Sequence, residues 1–224
     1  MAAVLFPVPE KDIFKSMMKS MFLSFLLLPC ILKAQDDKES YAIYSQYLRQ
    51  FRNEKSRADF VIRTSTDNIR KYHSDDVSEM VTGLRGYVKG DFSFEFFFRP
   101  KVNDLRKDTL WIPLIDELSK KIKNEFIIKN EFAPDLQCIL ISDGIYRKYF
   151  GNNKYIDKNW NRFHVQYPIP AFLIDLSEIV GDGKRAVFYF GSHCGGLCGS
   201  GSLILFYKDG SEWRFLTTIS LWNS

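Results

Sequence analysis

Arg185–Lys208 reads RAVFYFGSHCGGLCGSGSLILFYK, and this stretch decides the fold. Arg185–Gly191 and Ser202–Lys208 are two apolar, aromatic and β-branched runs of strand length. Between them lies Ser192-His193-Cys194-Gly195-Gly196-Leu197-Cys198-Gly199-Ser200-Gly201, holding four of the 13 glycines, two of the four cysteines and one of the three histidines. Two strand-like runs joined by a glycine-rich connection form an antiparallel hairpin, because glycine supplies the tight turn. Working outward, Asp209-Gly210 marks a second hairpin into Trp213–Leu221, Asp-Gly between strand-like flanks being a strong turn signal. Upstream, Ala171–Leu176 is a fourth run, separated from Arg185 by Gly181-Asp182-Gly183. The C-terminal part is therefore expected to be an antiparallel meander.

The first half reads differently. Tyr41, Tyr44, Tyr47, Leu48 and Phe51 follow helical spacing over Lys38–Asn53, and Leu114, Ile115, Leu118, Ile122 and Phe126 do so over Pro113–Phe126. Ala58–Thr66 and Gln137–Ser142 are short strands. Asp143–Tyr167 carries aromatic residues in short helical or irregular stretches. Phe92, Phe94, Phe96 and Phe98 alternate with Ser93, Glu95 and Phe97, a strand pattern. Gly90-Asp91 would pair that strand in a hairpin with Leu84–Val88. The fold class is α+β, with helices of the N-terminal half packed on a C-terminal antiparallel sheet.

Residues 1–34 read as a signal peptide: Lys11, Lys15 and Lys19 precede the apolar run Met21–Leu32, and cleavage after Ala34 is expected. Twelve apolar residues are too few to span a bilayer, which takes about 20, so the chain is expected to be exported, periplasmic or secreted, with no integral membrane segment after cleavage. Met17 and Met18 offer alternative starts. One domain, 35–224, would remain, with 27 basic and 25 acidic side chains and a net charge of about +2, too small for general attraction to nucleic acid.

After cleavage three cysteines remain, Cys138, Cys194 and Cys198. In an oxidising compartment a pair tends to bridge. The Cys194–Cys198 disulfide is the expected one, stapling the loop, and pairing of Cys138 with either is the alternative. His193, Gly195, Gly196, Leu197, Gly199 and Gly201 complete a candidate binding loop. A zinc site would need His193, Cys194, Cys198 and a fourth ligand from Cys138, His73 or His164, but the Cys-x3-Cys spacing lacks the closer-set pairs usual in structural zinc, so no metal is expected. Phosphate cradling is not expected either, since no helix follows the glycines. In Tyr72-His73-Ser74-Asp75-Asp76 a helix-capping or turn role for Ser74 and Asp75 is expected, with the two aspartates binding a cation or orienting the imidazole as the alternative, and His164 suits aromatic packing. No motif for nucleophilic, metallopeptidase or nucleotide chemistry occurs, and no cofactor or catalytic residue is expected.

Lys184–Tyr189, the Cys194-Gly195-Gly196-Leu197-Cys198-Gly199-x-Gly201 run, Lys208-x-Gly210, Trp213 and Ser220-Leu221-Trp222-Asn223-Ser224 resemble uncharacterised exported bacterial proteins. The resemblance implies an exported α+β protein with a C-terminal antiparallel sheet, and no activity. The expected function is thus a non-enzymatic envelope or secreted binding domain for a protein or small-molecule ligand, with the stapled loop as its edge. A thiol-dependent enzyme or hydrolase centred on Cys194, Cys198 and His193 is the alternative, and an immunity or inhibitor protein a third.

Overall fold

Among the described residues seven strands form one mixed sheet, in the order Cys138–Ile141, Asp59–Arg63, Ala171–Leu176, Arg185–Gly195, Cys198–Asp209 and Glu212–Asn223, with Val180–Gly181 beside Arg185–Gly195. The computed structural model describes residues 37–52, 59–88, 109–151, 156–167 and 171–224. In chain order the elements are α1 (37–52), β1 (Asp59–Arg63), α2 (Asp67–Tyr72), α3 (Ser74–Val88), α4 (Trp111–Lys121), β2 (Cys138–Ile141), α5 (Asp143–Phe150), α6 (Ile156–Gln166), β3 (Ala171–Leu176), β4 (Val180–Gly181), β5 (Arg185–Gly195), β6 (Cys198–Asp209) and β7 (Glu212–Asn223). The fold is α+β. Contacts gather Ile43–Ser224 into one compact unit. Among the described residues no helix is long and apolar enough to cross a membrane.

The meander is present, and it is one half of the sheet. β5, β6 and β7 pair antiparallel, and β3 joins them antiparallel to β5. β1, by contrast, pairs parallel with both β2 and β3. Parallel neighbours require long crossovers, here supplied by the helices. Leu84–Val88, expected as a strand, is the last part of helix α3. Its apolar residues continue the spacing of Val77 and Val81, which are buried against Trp111, Ile115 and Leu118 of α4, and tertiary packing overrides a local strand preference. The signal segment 1–34, Gly90-Asp91 and the Phe92–Phe98 stripe lie outside the described residues.

Alternation along β5 separates two cores. Val187 and Tyr189 face α3 and α4 together with Leu203, Leu205 and Ile219. Phe188 and Phe190 face the other way, onto α1: Tyr44 meets Phe188 edge-on at 5.1 Å and Tyr47 meets Phe190 at 4.9 Å. Tyr44 also donates its hydroxyl proton to the Ser177 carbonyl at 2.5 Å, giving the buried phenol the partner it needs. Leu173 stands opposite His193 across β3 and β5 and beside Val61 on β1, which puts all three on the face of Val187 and Tyr189. There Val61, Ile141, Ala171 and Leu173 are covered by Phe150 of α5 and by Trp160 and Phe163 of α6. One sheet face therefore carries two helical groups: α3 and α4 over the antiparallel strands, α5 and α6 over the parallel ones.

Candidate functional site

The glycine-rich stretch is mostly strand. β5 continues to Gly195 and β6 begins at Cys198, with Gly195 paired to Cys198 and a bulge between His193 and Gly195. Only Gly196 and Leu197 are left to turn the chain. The sulfurs of Cys194 and Cys198 lie within bonding distance across the turn, with Cα atoms 5.2 Å apart, inside the span a disulfide bridges. Cys138 is a separate, half-buried thiol on β2, and burial pushes it up to about 12, so it stays protonated and unreactive. Helix α6 braces the tip: a side chain at Gly196 would stand 2.9 Å from Asp157 Oδ1 and 3.3 Å from Ile156 Cγ2. His164 Nε2 is 3.3 Å from the Cys194 carbonyl, while its ring stacks on Trp160 at 5.6 Å. Leu197 is 90% exposed at the very end.

The other glycines of the loop make room for an aromatic side chain of the same molecule. A Cβ at Gly201 would overlap the Trp222 indole, and one at Gly199 would stand 3.1 Å from Trp222 Cζ3 and 3.2 Å from His193 Nδ1. Gly201 is paired with both Gly191 and Trp222, so the indole lies back across a strand surface cleared of side chains. Its Nε1 donates to the Tyr189 hydroxyl at 3.1 Å, and His73 stacks on it at 4.9 Å with planes 11° apart. His73 Nδ1 is 3.0 Å from Asp76 Oδ2, so an aspartate does orient this imidazole. Burial, then the neighbouring Asp175, pushes the Tyr189 phenol well above its ordinary range, with the Trp222 hydrogen bond opposing.

His193 turns toward the sheet: its Nε2 lies 3.4 Å from Asp175 Oδ2. Asp175, 1% exposed, belongs to a line that the sequence reading did not single out. Arg63 Nη1 lies 3.5 Å from Asp175 Oδ1, and Arg63 Nη2 donates to Asp143 Oδ1 at 3.0 Å. The guanidinium carbon lies 3.9 Å from the centre of the Tyr146 ring. The line runs from Asp143 through Arg63 and Asp175 to His193. Its signal in the sequence was a charge beside apolar neighbours in each of two short runs, Arg63 after Phe60-Val61-Ile62 and Asp175 in AFLIDL. A buried charge is expensive unless paired, and nothing local in either run names the partner. Among the described residues no group of three or more histidine, cysteine, aspartate or glutamate side chains is placed to hold a metal ion. Compared with models of protein families, with curated proteins and with solved structures, the chain finds no match.

Proposed function

We propose that the protein is an exported, non-enzymatic binding domain and that the closed tip of the β5–β6 hairpin is its recognition edge, docking in an apolar pocket of an envelope protein. The observation that carries this reading is Leu197: a large apolar side chain 90% exposed on a two-residue turn held by a cysteine pair at bonding distance and braced by α6. Burying a leucine is worth about 1.5–3 kcal/mol, and a tip that is already ordered loses little entropy when a partner covers it. Export is supported by the charge and apolar pattern of residues 11–34 and by the tendency of such cysteine pairs to persist in oxidising compartments.

The test is a crosslinking capture from the native envelope fraction, using a photoreactive group at the exposed Lys158 of α6, the helix whose Ile156 and Asp157 lie against the tip. The expected result is one captured protein, at least tenfold depleted with Leu197→Ser while the melting temperature holds. Mass spectrometry of the unreduced protein should show a bridged Cys194–Cys198 pair and a chain starting at Gln35. Equal capture by Leu197→Ser removes the tip from recognition, and two thiols that alkylate rapidly near neutral pH turn the reading toward a thiol-dependent enzyme.

A further inference from the structure

The most deeply buried charges in the fold lie where its topology places a ligand. β1 is flanked by β2 and β3, so the chain leaves β1 for one side of it and returns on the other. Open sheets of parallel strands bind ligands outside the carboxyl ends of the strands at such a reversal. Three charges gather at those ends: Arg63 closes β1, Asp143 follows β2 as the first residue of α5, and Asp175 is near the end of β3. The Arg63 side chain is 4% exposed. Its Nε and Nη1 are enclosed and have no hydrogen-bond acceptor among the described residues, an arrangement native interiors rarely leave. Asp143 spends Oδ1 on Arg63 and remains 29% exposed.

Charge selects the ligand. One guanidinium stands between two carboxylates, so a simple anion that satisfied Arg63 would be repelled by Asp143 and Asp175. A simple cation would leave the arginine N–H groups unfilled. A molecule with a carboxylate and an ammonium on the same carbon answers both, because guanidinium favours carboxylate and carboxylate favours ammonium through charge-assisted hydrogen bonds. We propose that the Asp143–Arg63–Asp175 cluster is a binding site for a free α-amino acid, entered beside the half-buried Tyr146 ring. The inference rests on the reading of the protein as a binding domain and supplies that domain with a small ligand.

Isothermal titration of the intact protein with each of the twenty amino acids, and with acetate, methylammonium and the N-acetyl derivative of the best binder as controls, tests it. At least one amino acid should bind, tenfold or more tighter than any control. Asp143→Asn should weaken it at least tenfold with the melting temperature held within a few degrees. Arg63→Lys, which keeps the charge and loses the planar fork, should weaken it as well. No response to any amino acid, equal binding of acetate or methylammonium, or full affinity in folded Asp143→Asn overturns the proposal. Capture through Leu197 is read independently, so either proposal can fail while the other stands.

Discussion

At Gly201 the side chain missing from β6 is replaced by the Trp222 indole of the neighbouring strand, and the space left by that absence is already filled. Gly201→Ala forces the indole off the strand, away from Tyr189 and His73. Overpacking of this kind costs about 1–3 kcal/mol, and a domain of this size loses roughly 2–4 °C of melting temperature per kcal/mol. Gly144→Ala is the contrasting substitution: its nearest neighbour would be Ser142 Oγ at 3.8 Å and it lies within α5, so the melting temperature should hold or rise. A drop at Gly144 as large as at Gly201 would show that the indole is not what the glycine accommodates. Tyr189 gives a second residue-scale expectation. Its phenol is pushed well up by burial, so in alkaline spectrophotometric titration one tyrosine should resist ionisation while the protein stays folded. The unfolded chain releases that proton near pH 10 and the folded chain does not. This contribution to stability is therefore complete below about pH 10 and declines as pH rises above it. Tyr189→Phe should flatten the decline.

At the scale of elements, the β5–β6 hairpin was legible because strand alternation, glycine and Asp-Gly turns are local signals. The extent of its strands was not, since the glycines of residues 195–201 look like loop to any local reading. What keeps Gly199 and Gly201 in strand is pairing with the end of the chain and the Trp222 side chain from 21 residues beyond Gly201, a relation between distant positions. The parallel pairing of β1 with β2 and β3 was illegible for the same reason. Runs of four to six residues announce a strand and say nothing of its neighbours. Arg63, Asp143 and Asp175 were missed together: each is a single charge whose meaning lies in the other two. The turn itself makes a measurable prediction. Closing a ring of five residues restricts the unfolded chain by about 2 kcal/mol in the chain-entropy account, so reduction should lower the melting temperature by roughly 4–8 °C. Cys138, its thiol pushed up to about 12 by burial, should remain unmodified by an alkylating agent until the protein is unfolded. Rapid labelling at neutral pH in the native state would contradict its placement in β2.

Across the whole molecule, the Asp143–Arg63–Asp175–His193 line joins the two halves of the sheet: Arg63 belongs to the parallel half, His193 to the meander, and Asp175 lies on β3, which borders both. An ion pair this deeply buried is not retained for stability, since desolvating both charges offsets most of their attraction. Removing one partner is another matter, because the survivor keeps its charge in a medium that cannot solvate it. Asp175→Leu should therefore cost about 3–5 kcal/mol, the Arg63 side chain being 4% exposed with Asp143 left to balance it among the described residues. Arg63→Met combined with Asp175→Leu removes both charges, fills the space with apolar groups of similar length and should recover most of that loss. Denaturant melts of the wild type, the two single variants and the double variant form a cycle whose coupling is expected to be large and favourable to the double. If the double variant is as unstable as the sum of the singles, the two residues act independently and the line does not exist as a unit. If it is as stable as the wild type, the charges are kept for something other than folding. That outcome is the one a ligand site between the two halves of the sheet requires.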